Sequence, residues 1–316
     1  MKKLLALAAF ACMSAGAEEL EELSLGELLA RFGWDFETAA ITTEKIGDGL
    51  YVLFGVGGNI AVSVGEQGVL IVDDMFPEMI PKVEAAIREI GGDGIDFAVN
   101  THWHFDHAEG NLALGPAGTW IVAHEHSAQM MAKSNPIYLP RVTTYRQQAY
   151  PSDARPAITY EDRMRFHFNG DVIDLIHAGP AHTAGDTAVI FRNHNAVHFG
   201  DVFNNAGYPF IDADSGGGIN GMITFCEAVL AEIGDDGIVI PGHGPVTDSA
   251  ALKAYIHMLK TVRDRVSAMM AQGKSLLEIV ASQPTAEFDE TYGPEMNSLG
   301  LVDRTYTSLK RDAARQ

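Results

Sequence analysis

The chain is poor in cysteine, in basic residues and in long apolar runs. Only Cys12 and Cys226 occur in 316 residues, too few for a disulfide framework, so packing and not cross-linking must hold the fold. Lys and Arg number 22 against 42 Asp and Glu, a formal net charge of -20. A field of that sign repels phosphate backbones and argues against nucleic acid as a partner; solubility in a salty or extracellular setting is its plainest meaning. The most apolar run, Leu4 to Cys12, falls far short of the ~20 residues that span a bilayer, so no membrane-spanning segment is expected. It follows Lys2-Lys3 and precedes Ala15-Gly16-Ala17, the basic start, short apolar stretch and small-residue cleavage site of a secretory leader. The expectation is a leader over residues 1–17, a mature chain from near Glu18, and a periplasmic or secreted location. Low-complexity tracts and short repeats are also missing, and 47% hydrophobic residues suffice for a substantial core.

Hydrophobic spacing supplies the organisation. Leucines at 20, 23, 25, 28 and 29, with acids between them, predict an amphipathic helix from Glu18 to Ala30 within an N-terminal extension, residues 18–40. Leu50–Phe54, Ile60–Val64 and Val69–Val72, separated by glycines, predict successive antiparallel strands. Pro77–Ile90 reads as a helix and Phe97–Asn100 as a strand. Further strands are expected at Val172–Ile176, Thr187–Phe191, Ala196–Phe199 and Gly237–Ile240, with a helix from about Ile223 to Ile233. Residues 251–316 are helical by pattern and are expected to pack outside the body of residues 41–250. Two halves that each mix antiparallel strands with helices suggest two sheets face to face with helices outside, an α/β fold of the α+β type.

The densest polar cluster follows the strand that ends at Asn100. His102, His104, Asp106 and His107 fall within six positions at a strand's carboxyl end. Imidazole nitrogen and carboxylate oxygen suit borderline cations such as zinc, and closely set neutral imidazoles have no other common purpose.

Four motifs in chain order, from the strands near Leu50 through Gly244, resemble those of the metallo-β-lactamase superfamily. They are His102-x-His104-x-Asp106-His107, Ala181-His182-Thr183-Ala184-Gly185-Asp186-Thr187, Gly200-Asp201 and Pro241-Gly242-His243-Gly244. The resemblance implies a four-layer αββα sandwich and two metal ions. One ion would sit on His102, His104 and His182 and the second on Asp106, His107 and His243, with Asp201 bridging. It implies two Zn2+ per chain, with iron or manganese as the alternative ions. It also implies hydrolysis of a small organic substrate: water activated by the metals attacks a carbonyl of an ester, lactone, thioester or β-lactam, and Asp106 acts as the catalytic residue that orients the water. The well-known zinc β-lactamase subclasses carry Cys or Ser where this chain has Asp201, so relatives that cleave esters, thioesters or lactones fit better than a β-lactamase proper. A mononuclear iron oxygenase of the same fold and a non-catalytic binding protein are the readings from other classes. His104 speaks against flavin-linked relatives, and the complete ligand set speaks against a decayed site.

Other features carry plainer expectations. His167, His177, His194, His198 and His257 read as structural or surface residues. His124 and His126 follow an apolar run but lack an evident third ligand, so a supporting or surface role outweighs a second metal site. Residues 204–221, rich in glycine and carrying Tyr208 and Phe210, and the proline-rich stretch 133–160 are candidates for lining or covering the substrate cleft. The sequence does not specify an oligomeric state.

Overall fold

A computed structural model describes residues 21–139, 143–293 and 295–315. The leader expected over 1–17 and the first residues of the helix expected from Glu18 lie outside the described residues. Strand β1 (Glu22–Leu23) and helix α1 (Leu25–Phe32) come first, followed by β2 (Thr42–Gly47), β3 (Leu50–Phe54), β4 (Ile60–Gly65) and β5 (Gly68–Val72). Next stand α2 (Ile80–Glu89), β6 (Phe97–Asn100), α3 (Phe105–Ala108), α4 (Asn111–Ala117), β7 (Trp120–His124) and α5 (Glu125–Met131). The hairpin β8 (Asn135–Leu139) and β9 (Thr143–Gln147) leads to β10 (Ile158–Tyr160), β11 (Arg163–Phe168), β12 (Asp171–Ile176), β13 (Ala188–Phe191) and β14 (Ala196–His198). Helix α6 (Ile219–Ile233), β15 (Ile238–Ile240) and β16 (Thr247–Asp248) precede four C-terminal helices: α7 (Ser249–Ala271), α8 (Leu276–Ala281), α9 (Asp289–Tyr292) and α10 (Glu295–Ala313).

One sheet runs β10-β7-β6-β5-β4-β3-β2 and the other β11-β12-β13-β14-β15-β16, with β1, β9 and β8 as a small third sheet. The central strands read as unbroken apolar runs because both of their faces are buried. On β5, Leu70 and Val72 point between the two sheets while Val69 and Ile71 point to the helices outside. On β13, Val189 and Phe191 face the sheet interface while Ala188 and Ile190 face the core under α6 and α7. The period-two alternation thus divides the interior into three apolar layers between four structural ones, giving the αββα sandwich.

The differences from sequence expectation are local. The N-terminal helix starts at Leu25 and not at Glu18, because Ser24 and Glu27 form a reciprocal capping box. Glu22 and Leu23 instead run parallel to Thr144 and Tyr145. Helix α2 begins at Ile80, with Pro81 and not Pro77 in its first turn. Residues 105–108, within the polar cluster that follows β6, close into the short helix α3. Ser275 and Glu278 repeat the capping box at the start of α8. Among the described residues no helix is long and apolar enough to cross a membrane.

Candidate metal centre

The seven residues singled out by motif converge from the carboxyl ends of strands in both sheets. His102, His104 and His182 form one group of converging donor atoms, and Asp106, His107 and His243 another. Asp201 stands between them. Its Oδ1 lies 3.1 Å from His107 Nε2 and 3.4 Å from His243 Nε2, and its Oδ2 lies 3.9 Å from His182 Nε2. Its two oxygens therefore address different groups.

Hydrogen bonds on the outer edges of the rings fix which nitrogen faces inward. His107 Nδ1 donates to Asp73 Oδ2 at 2.7 Å, and His182 Nδ1 to the Phe210 carbonyl at 2.8 Å, so each leaves Nε2 as an acceptor. His104 donates from Nε2 to Asp212 Oδ2 at 3.0 Å, leaving Nδ1 inward. Thr101 Oγ1 donates to Asp73 and so accepts from His102 Nδ1, at 2.9 and 3.0 Å. Two inward lone pairs, His182 Nε2 and His104 Nδ1, are then 2.9 Å apart, and among the described residues the buried Nε2 of His102 has no hydrogen-bond partner. Lone pairs brought this close repel unless they share a cation, so the donor set fits a metal ion.

Local chemistry explains the turns that present these ligands. Asp186 accepts from the backbone of Ala181 and Thr183 at 2.9–3.1 Å and from Thr183 Oγ1 at 2.8 Å, clamping the turn that carries His182. Gly200 has a φ of 52°, and a Cβ there would meet Thr101 Oγ1 at 2.3 Å, so only glycine lets Asp201 follow it. Gly242 approaches Asp201 so closely that a Cβ would lie 2.1 Å from Oδ1. Asn59 Nδ2 holds that last turn by donating to the carbonyls of Pro241 and Gly244 at 2.9 and 2.8 Å.

Electrostatics differ between the two halves. Burial, helped by the neighbouring imidazoles, holds His102 and His182 below their usual values, keeping them in the neutral form that binds metal. Burial also opposes charge on His107 and His243, but Asp201 and Asp106 outweigh it, raising His107 well above its usual value and His243 to about 10. The second half thus draws positive charge, whether proton or metal.

Above the ligands opens a cleft of about 310 Å³ whose polar end is His104, Asp106, Asp201 and His243. Tyr208 and Phe210 line it, as expected of residues 204–221, and so do Ile137 and Leu139 from the 133–160 stretch. The remainder of that stretch has a structural use, since β10 extends the seven-stranded sheet beside β7.

Of the other histidines, His167 and His257 are exposed, and His198, His194, His124 and His177 have structural settings. His198 Nε2 donates to the Asn59 carbonyl at 2.9 Å and its Nδ1 accepts from Gly200 N at 3.1 Å. His194 bridges Asp171 and the Asp48 carbonyl. His124 stacks on His177 with ring centroids 4.0 Å apart, and burial with His177's proximity pushes it down to about 4. Among the described residues, His124 and His126 do not gather with a third ligand. Sequence reading passed over Asp73, Asp212, Thr101 and Asn59. Asp73 carried one usable signal: with Asp74 it directly follows an apolar strand, where burial of an acid requires a partner.

The metallo-β-lactamase superfamily model matches residues 53–261, and the chain belongs to that superfamily. Among curated proteins it is similar to the 2,4-dinitroanisole O-demethylase subunit alpha of Nocardioides sp. (strain JS1661), 26% identical over 184 residues, or 57% of this chain and 51% of that protein. The chain thus spans about half the length of that relative. Among solved structures it resembles the DIM-1 metallo-beta-lactamase, with a TM-score of 0.56 and 19% identity over 70% of this chain and 98% of that one. It also resembles the stereoselective inverting sec-alkylsulfatase Pisa1 from Pseudomonas sp., with a TM-score of 0.63 and 16% identity over 85% of this chain and 50% of that one. At such identities the structural likeness concerns the fold, and the chemistry must be argued from the site.

Proposed function

We propose that the protein is a dinuclear metal-dependent hydrolase of a small organic substrate. The observation that carries this reading is Asp201, whose two carboxylate oxygens face two separate groups of three ligands. His102, His104 and His182 would hold one ion, Asp106, His107 and His243 the other, and zinc matches their nitrogen and oxygen donors, with iron or manganese as alternatives. Two such ions supply Lewis acidity and a nucleophile from water near neutral pH.

The chain's own residues supply the rest. Burial opposes ionisation of Asp106, but His107 and His243 hold its pKa below the usual carboxylate value. At the floor of the cleft it offers a hydrogen-bond acceptor that orients the attacking water. Asn204 also lines the cleft, and its Oδ1 is occupied by the Ala206 N–H at 2.8 Å. Its Nδ2 is the donor left for charge that develops on the substrate's oxygen.

Esters, lactones, thioesters and β-lactams all present an electrophile that this arrangement can serve. The relatives' names add a methyl aryl ether and sec-alkyl sulfates to the chemistry worth testing. Elemental analysis of the purified protein, with turnover measured against that panel before and after chelation, tests the reading. About two transition-metal ions per chain and chelator-sensitive hydrolysis are expected. Active protein free of transition metal would overturn it. Export is part of the same proposal, supported by the leader-like residues 1–17. N-terminal sequencing of protein from fractionated cells should return a start near Glu18 in the periplasm or medium.

A further inference from the structure

We infer that the substrate carries an uncharged alkyl or aryl group of modest size, and that the cleft beside the metal centre receives it. The inference rests on the metal-centre reading of this cleft and adds the chemistry of the substrate's other end. The polar lining is His104, Asp106, Asp201 and His243 with Asn204 and Tyr208, while the walls are built from Phe32, Trp34, Ile137, Leu139, Phe210 and Leu301. A volume of about 310 Å³ lies at the lower end for small-molecule sites, enough for one ring or a short chain. Among the described lining residues none is Lys or Arg, so a charged group lodged between these walls would lose water without gaining a counter-charge.

The walls are held in place by contacts outside the cleft. Phe32, Trp34 and Leu301 all lie outside the matched residues 53–261. Lys82 Nζ pins the segment after Trp34 by donating to the carbonyls of Phe36, Glu37 and Ala39 at 2.8, 3.0 and 2.6 Å. The Trp34 ring packs edge-on against Phe76 at 5.9 Å. On the opposite side Arg304 of α10 stands 4.7 Å over the ring of Tyr138 in the hairpin and donates to Asp214 at 2.8 Å. At the mouth Phe32 is 42% exposed and lies 5.1 Å from Trp34. An exposed aromatic continuous with a rigid apolar wall gains most when an apolar group covers it.

The test uses the metal-loaded full chain and ethyl esters from acetate to octanoate, alongside the matching N-ethyl amides, acetamide to octanamide, as non-hydrolysed ligands in calorimetry. Each added methylene should raise kcat/KM and amide affinity about fourfold until the cleft is full. Trp34→Ala should flatten both series, and Phe32→Ala, at an exposed site that folding tolerates, should lower the steepness in the same sense. Amides that tighten with length while no ester is cleaved would overturn the hydrolase reading and leave this inference standing. Flat responses to length in rate and affinity, or slopes untouched in both variants, would overturn the inference itself.

Discussion

The carboxylate of Asp212 stands 3.0 Å from Nε2 of His104, while Nδ1 of the same ring faces His182 at 2.9 Å. This arrangement leaves Nδ1, not Nε2, as the nitrogen of His104 with a lone pair free for a metal, because the carboxylate holds the proton on Nε2. Replacing Asp212 with Ala frees the ring to take the other tautomer. We expect metal affinity at His102, His104 and His182 to fall about 10- to 100-fold, with the Asp106, His107 and His243 group still loaded. Site-resolved metal titration against a chelator measures this. Equal weakening of both groups would show that Asp212 matters only for the loop.

Asp201 joins the two groups, so its loss should separate them. Asp201→Ala should lower bound metal from about two ions per chain towards about one, since the three histidines of the first group suffice alone. Turnover should fall far more than folding stability, because the carboxylate that spaces two like charges is gone. Metal per chain, denaturation midpoint and rate, measured on one preparation, decide the matter.

Most of the candidate ligand set was legible because the fold concentrates it in short motifs. His102, His104, Asp106 and His107 are adjacent in sequence, and His182, Asp201 and His243 each sit in a glycine-bearing turn whose tight geometry leaves a residue pattern. The residues that orient them leave almost none, the acidic pair after an apolar strand at Asp73 being the exception. Asp73 meets His107 across 34 positions and Asp212 meets His104 across 108, contacts created only when the strands assemble. The N-terminal boundary was legible in principle, since Ser24 and Glu27 have capping-box spacing, but the leucine period extends past it. Periodicity reports a buried face, whereas a cap decides where the backbone turns helical. The cleft's walls were half legible: Tyr208 and Phe210 lie close to Asp201 in sequence, but Phe32, Trp34 and Leu301 arrive from both ends of the chain.

The C-terminal helix should influence the first ligand group from a distance. Arg311 donates from Nη1 to the carbonyls of Ala213 and Gly217 at 2.8 and 2.9 Å, bracing the loop that holds Asp212. Arg311→Met keeps the apolar stem and removes the donors, leaving two carbonyls short of a partner. We expect a stability loss of about 1–3 kcal/mol and weaker metal binding at His102, His104 and His182 than in the parent, though stronger than in Asp212→Ala. Denaturation and the same chelator titration test it, and Arg311→Lys should restore part of both.

Glu109 supplies a prediction in pH. It closes α3, is 7% exposed and, among the described residues, accepts only a long hydrogen bond from Tyr145 Oη at 3.4 Å. Burial is the chief cause that raises its carboxyl from an ordinary 4.5 to about 7, with Glu78 and Asp106 adding to the rise. Below about 4.5 the group is protonated in both folded and unfolded chains and costs nothing. As pH climbs from there towards 7, the unfolded chain releases a proton that the folded chain retains, so folding stability is progressively lost. Above about 7 the loss is complete, on the order of 3 kcal/mol. Glu109→Gln keeps the shape and cannot ionise. Its stability relative to the parent should therefore grow between pH 5 and pH 7 and level off above. Urea denaturation of the two proteins side by side isolates this group, because every other titration is common to both. A difference that stays constant across that window would show that Glu109 is ionised in the folded protein throughout.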